Sequence, residues 1–248
     1  MKKLFIVVCI LLSNFGFSQK NDTSTAIAAP LIGVHFGGNL PAGDLSQRFG
    51  PNLNAGINFM YKTKKNYLIG IDCNYLFGRN IKEDVLKQLK NSDGFIVDNS
   101  GYPADIRLSE RILTLNLYFG KIFNVLSANQ NSGLLVNIGA GYIQHRIHFF
   151  DSQREIAAIN GDTRDGYDRL TNGISVSQFI GYLFLGDSRY LNFYAGLEAY
   201  QGFTKSVRKL NYDTGLPDTK NRLDMLYGLR FGWILPLYSR APKQYFYN

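Results

Sequence analysis

The chain has 248 residues, 45% of them hydrophobic, 14% aromatic and only 19% charged, with 27 Lys and Arg against 19 Asp and Glu for a net charge of +8. So many aromatics with so little charge exclude a disordered chain. Beyond residue 18 no uncharged apolar run reaches the roughly 20 residues of a membrane-crossing helix, which excludes a multi-span helical protein.

Residues 1–18 read as a secretory signal. Lys2 and Lys3 form its basic start, 4–12 its apolar run, and small residues precede a cut after Ser18. The alternative, a membrane anchor, needs a longer apolar run. Cys9 lies inside that run rather than at a lipidation site. Cleavage leaves 25 Lys and Arg against 19 Asp and Glu, a charge of +6, and Cys73 as the sole thiol, so no intramolecular disulfide can form. An exported chain with no basic helix and no zinc-type spacing is not a nucleic-acid reader. Its natural counter-charge is a surface polyanion such as lipopolysaccharide phosphate. Residues 19–29 read as a polar leader, mobile in the periplasm.

From there the chain alternates with period 2 in eight segments. Ile32, Val34, Phe36 and Leu40 oppose Gly33, His35, Gly37 and Asn39. Leu53, Ala55, Ile57, Phe59 and Tyr61 oppose Asn54, Gly56, Asn58 and Met60. Tyr67, Ile69, Ile71, Cys73, Tyr75 and Phe77 oppose Gly70, Asp72, Asn74 and Gly78. Leu113, Leu115, Leu117 and Phe119 oppose Thr114, Asn116, Tyr118 and Gly120. In the second half, Leu134, Val136, Ile138, Ala140 and Tyr142 oppose Asn137, Gly139 and Gly141. Ile174, Val176, Ile180, Tyr182 and Phe184 oppose Ser175, Ser177 and Gly181, with Gln178 breaking the apolar row. Leu191, Phe193, Ala195, Leu197 and Ala199 oppose Asn192, Gly196 and Glu198. Met225, Tyr227, Leu229, Phe231, Trp233 and Leu235 oppose Asp224, Gly228, Arg230 and Gly232.

A soluble sandwich also alternates. Here, however, the apolar face is nearly continuous and ends in aromatics, and the other face is rich in Gly and Asn rather than charge. Short connections (63–66, 122–131, 186–189) also alternate with long ones (41–50, 79–109, 151–171, 204–222), the hairpin rule of outer-membrane barrels. The expected fold is therefore all-β: an eight-stranded antiparallel transmembrane β-barrel over residues 30–238. It has short periplasmic turns, four longer extracellular loops and both termini in the periplasm. Leu115, Ile138, Leu197, Leu229, Phe231 and Trp233 are expected to face lipid. In the second long loop, IKEDVLKQLK (81–90) has helical apolar spacing at Ile81, Val85, Leu86 and Leu89. This predicts a short amphipathic helix at the barrel mouth, solvated in preference to a lid or docking helix.

Eight strands enclose a lumen that side chains nearly fill, so a general porin is not expected. His35, Asp72, Asn74, Glu198, Asp224 and Arg230 are expected to form a polar lumen network, joined by Asn39, Asn58, Asn116 and Asn137. Glu198 and Arg230 lie on neighbouring strands, and Asp72 reaches across to them; buried charges need such partners. The competing reading is a catalytic carboxylate or proton path. His145 and His148 would hold a metal on a helix but point to opposite faces of a strand. No Ser/His/acid set converges, since Ser175 and Ser177, the nearest seryl candidates to His145, face the lumen. Neither catalytic residues nor a cofactor or metal is assigned. The Gly37-Gly38 and Gly139-Ala140-Gly141 runs sit within strands and are not phosphate loops. GYDRLTNG (166–173) reads equally as a binding tip or a loop base. After the last strand, SRAPKQYFYN (239–248) is basic at Arg240 and Lys243 and aromatic at Tyr245, Phe246 and Tyr247. It reads equally as a partner-docking tail and as an interfacial anchor.

Four stretches, GVHFGGNLPAGDLSQRFGPN (33–52), GINFMYKTKKNYLIGIDCNYLFG (56–78), GYDRLTNG (166–173) and RLDMLYGLRFGWILPLYSRAPK (222–243), resemble a family of small outer-membrane β-barrel proteins of Bacteroidota. The likeness spans most of the mature chain. It implies an accessory subunit of a large envelope machine, either the barrel-assembly (BAM) complex or the type 9 secretion and gliding apparatus. Outer-membrane lipid, lipopolysaccharide and other outer-membrane or periplasmic proteins are the implied partners. It carries over no catalytic residues. A narrow channel, a surface-binding barrel and a lipid A-modifying enzyme are the competing functions.

Overall fold

The computed structural model describes residues 26–127, 129–151, 156, 159–186 and 190–237. The stretch expected to be a signal, most of the expected leader, and the tail with Arg240, Lys243, Tyr245, Phe246 and Tyr247 lie outside the described residues. Eight strands follow in chain order: β1 (Ala29–Gly43), β2 (Asn52–Lys62), β3 (Tyr67–Gly78), β4 (Ile106–Phe123), β5 (Gly133–Asp151), β6 (Thr171–Leu185), β7 (Asn192–Ser206) and β8 (Asn221–Pro236). Each pairs antiparallel with its neighbours, and β1 pairs with β8, so the sheet closes with no free edge. Among the described residues no helix is long and apolar enough to cross a membrane. The strands do the crossing, since closure satisfies their backbone groups internally.

The side-chain alternation sets the two faces. Ile57, Ile69, Leu117, Ile138, Leu197 and Leu229 are exposed on the outside, Leu229 at 66%. A continuous apolar face of this size is a liability in water and a match for hydrocarbon. Aromatics cluster at the rim of short turns, where Tyr67 stacks on Phe119 and Phe184 on Phe193, with centroids 5.6 and 5.2 Å apart. There Trp233 donates its indole N–H to the Tyr190 carbonyl at 2.7 Å, and Lys121 sits 4.7 Å over the Tyr67 ring. Such amphipathic groups suit a bilayer interface.

Above the belt, at the rim of long loops, the alternation inverts. In the extensions of β4 and β5, Ile112, Ile143, Ile147 and Phe149 turn inward and are buried, while Arg111, Gln144, Arg146 and His148 face out. The two strands consequently run well past 113–119 and 134–142, where the outward apolar row ends.

The interior has three layers. Leu31, Met60, Leu68, Phe179, Leu183 and Ile234 close the turn rim. Polar groups fill the middle. Leu45, Phe49, Leu76, Val85, Leu86 and Ile147 close the loop rim. Three loops supply that last closure, Ile156, Ile159 and Tyr167 coming from the third. Gly43, at φ +60°, turns the chain out of β1, and a Cβ there would meet the Leu223 carbonyl oxygen at 2.4 Å. The short helix α1 (Leu45–Arg48) and Phe49 then drop into the mouth.

The helix expected over 81–90 is absent. Only a 3₁₀ turn at Lys87–Leu89 forms, with Val85 and Leu86 fully buried. An antiparallel bridge pairs Ile81 with Phe49, and Glu83 is tied to two arginines across the mouth. The apolar spacing fills the mouth rather than one helix face, so the segment is a packed plug and not a solvated excursion. The leader is also not mobile throughout. Ile27 is bonded at the turn rim, and Ala29 and Pro30 already belong to β1.

Candidate functional site

The middle of the lumen is organised around Arg230 on β8. Its guanidinium contacts Glu198 of β7 at 2.6 Å and Asp72 of β3, opposite, at 3.2 and 3.3 Å, and it donates to the Tyr200 hydroxyl. Asn74 bonds Asp72 and the Tyr200 hydroxyl, and Asn54 donates to Glu198 at 2.6 Å. His35 belongs to the same network. It contacts Asn74, lies 3.7 Å from Asp72 and 3.4 Å from the Asn58 amide. Two carboxylates, one guanidinium and a ring of amides and phenols thus share a buried layer in which each charge has an opposite partner. The cavity beside Arg230 holds about 30 Å³, room for only about one or two waters.

Asp224 lies apart from this layer, nearer the loop rim. It accepts from His145 Nε2 at 2.9 Å and from the Thr204 hydroxyl. Phe49 covers the His145 ring edge-on, centroids 5.7 Å apart. Nucleophilic catalysis needs a hydroxyl on the imidazole with the acid behind it. Here the hydroxyl and the imidazole share the acid, under an apolar cover. Ser175 bonds Asn116 at 2.9 Å, not His145. His148 faces outward, away from His145. The geometry is that of internal bonding. Among the described residues no cluster of ligating side chains is set to hold a metal.

Inward residues that the sequence reading passed over hold much of this together. Tyr194 and Tyr200 share the parity of Glu198, and Lys62 that of Asn58, so the alternation marks them too. Lys62 is fully buried at the turn rim and donates to the Ile27 carbonyl (3.0 Å) and Asn131 Oδ1 (2.9 Å), which also accepts the Ile27 N–H.

The loop cap is laced by ion pairs. Glu83 accepts from Arg48 at 2.8 Å and from Arg169 at 2.7 Å, and Asp213 also binds Arg169. Asp218 pairs with Arg222, and Arg208 with Asp165 and Asp168 at 2.6 Å each. Partial burial opposes ionisation of Glu83, but Arg48 and Arg169 outweigh it and hold the carboxyl below its usual 4.5. At Asp218, burial likewise yields to Arg222 and the carboxyl is lowered from its usual 3.8. A lowered folded pKa contributes stability that is complete above the ordinary value and lost as pH falls through the folded one. Hydrogen exchange in 79–90 is therefore expected to rise below about pH 4 while strand amides stay protected. Equal protection of 79–90 at pH 3 and pH 7 would contradict this role for Glu83.

The predicted lipid-facing residues Leu115, Ile138, Leu197, Leu229, Phe231 and Trp233 all lie exposed on the outer face. One interruption stands among them. Gln178 donates to Gln201 across β6 and β7 at 2.8 Å, on the outside of the barrel. Next to this pair, Ala140, Gly139 and Val176 leave a depression of about 530 Å³ walled by Leu117, Phe119 and Ile138.

No known family and no curated protein matches the chain. Solved structures resemble it weakly. Neisserial surface protein A aligns at 11% identity and a TM-score of 0.42, covering 84% of this chain and 98% of that one. Ail, the attachment invasion locus protein of Yersinia pestis, aligns at 7% and 0.43, covering 84% and 100%. The N-terminal β-barrel domain of Pseudomonas aeruginosa OprF aligns at 10% and 0.38, covering 84% and 100%.

Proposed function

We propose that this barrel resides in the outer membrane and works through its surfaces, as a non-enzymatic accessory subunit of an envelope protein-assembly or secretion complex. The observation that carries the reading is the lumen, with an apolar layer at each end around a buried, ion-paired cluster. With the lumen packed in this way, what the fold presents is its lipid face, its loop cap and its turn rim. The Gln178–Gln201 pair supports a protein neighbour within the membrane. One bond satisfies only part of two amides, and hydrocarbon offers no partner for the rest. A second outer-membrane barrel seated on the adjoining depression would supply both packing and bonds. The resemblance to a family of small outer-membrane barrels, which implies an accessory role in such a machine, points the same way.

The test is gentle-detergent isolation from native membranes, with an affinity tag at Gly94 or Gly101, whose surroundings are open. Stoichiometric recovery with another outer-membrane barrel is expected, and it should weaken in Gln178→Leu/Gln201→Leu, whose two changes face lipid and are expected to leave folding intact. Recovery of the wild-type chain alone would overturn the reading.

A further inference from the structure

Directly above the lipid belt, the outward faces of β4 and β5 carry a cluster of like charge. Arg111 and Arg146 are cross-strand partners. His148 follows two residues beyond Arg146, and Arg164, from the 3₁₀ segment Gly161–Gly166, donates to its Nδ1. The charges of Arg111, Arg164 and Arg146 all bear on His148, and those of Arg146 and Arg111 bear on Arg164. Asp168 and Asp165, the carboxylates that also act on Arg164, are held by Arg208 at 2.6 Å each. Among the described residues neither Arg111 nor Arg146 has a carboxylate partner.

Like charges directly opposite on paired strands destabilise the sheet. Two guanidiniums paired across a rigid strand pair, with a third brought beside them by the loop, are therefore costly unless an anion joins them. Depth identifies the anion. On these two strands the next outward pair toward the belt is Leu113 with Gln144, and then Leu115 with Tyr142. Tyr142 donates to Gln144 at 2.9 Å. Leu113 and Leu115 are lipid-facing, so Arg111 and Arg146 stand at head-group height, about 7 Å along the strand from Leu113. Guanidinium forks match phosphate oxygens bidentately.

We propose that Arg111, Arg146 and Arg164 form a binding site for a lipid phosphomonoester in the leaflet at the loop rim, with its acyl chains lying on Leu113, Leu115 and Tyr142. The site requires a membrane barrel but not the partner complex proposed above. A phosphorylated glycolipid of the lipid A class has both halves of the required chemistry, a phosphomonoester and several chains.

The test uses the full chain in phosphatidylcholine nanodiscs with and without diphosphoryl lipid A. Lipid retention is read by native mass spectrometry, and thermal unfolding by circular dichroism. Wild type is expected to retain lipid A and to unfold at higher temperature with it. Arg111→Gln/Arg146→Gln should bind it at least about tenfold more weakly, the loss of charge-assisted bonds. The same variant should unfold at a higher temperature than wild type in lipid A-free discs, because the repulsion is gone. A merely structural role for the arginines predicts the opposite sign. Lys121→Gln, at the turn rim, should leave binding unchanged. Equal lipid A binding by wild type and the double variant would overturn the site. Saturation by inorganic phosphate as readily as by lipid A would overturn its assignment to a lipid.

Discussion

Arg230→Met is expected to shift the urea midpoint for unfolding from lipid vesicles further than any other single substitution in the lumen. Removing one partner of a buried ion cluster costs about 3–5 kcal/mol, because the remaining charges stay buried without compensation. In this barrel two carboxylates, Asp72 and Glu198, depend on the same guanidinium, and both are nearly inaccessible. The Tyr200 hydroxyl loses a donor as well. Met fits the volume but offers no positive charge, and the cavity beside it is too small to admit a hydration shell. The triple variant Asp72→Asn/Glu198→Gln/Arg230→Met should recover more than half of the loss, since neutral amides need only hydrogen bonds, which Asn54, Asn74 and Tyr200 are placed to make. An unchanged midpoint in Arg230→Met would mean that the cluster is already solvated, and the sealed lumen would fall with it.

Leu229→Arg has the second-largest expected effect. Leu229 lies between Trp233 at the turn rim and Met225 near the loop rim, paired with Leu197 and Gly38 and mostly exposed. An Arg at the bilayer midplane of a barrel costs about 2–4 kcal/mol, falling to roughly 0–1 kcal/mol near the interface. Leu115→Arg should behave in the same way. Leu113→Arg, beside Arg111 at the head-group level, should cost much less. Equal midpoint shifts in vesicles for positions 229 and 113 would contradict the placement of the belt.

How much of this was legible in the sequence follows from what each pattern physically encodes. Period 2 records which side of a sheet meets lipid, so strand number, closure and the outward rows around Leu197 and Leu229 could be read directly. The same alternation marked Asp72, Glu198 and Arg230 as inward, but their convergence across the lumen is set by the barrel's register, which no single strand carries. The mouth was misread for a related reason. Apolar residues at 81, 85, 86 and 89 have helical spacing, yet here they fill a cavity and the backbone is fixed by Phe49 and Glu83. The outer halves of β4 and β5 escaped because their alternation reverses where water replaces lipid. That reversal, Arg111 and Arg146 out with Ile112 and Ile147 in, is itself the trace of a plugged barrel standing above its membrane.

The measurement that tests the account most directly is conductance of the purified full chain in planar bilayers at neutral pH. A barrel closed by two apolar layers around a buried, ion-paired cluster should insert and remain electrically silent. A steady ion current through single molecules would place an open path beside Arg230 and return the protein to the channel class.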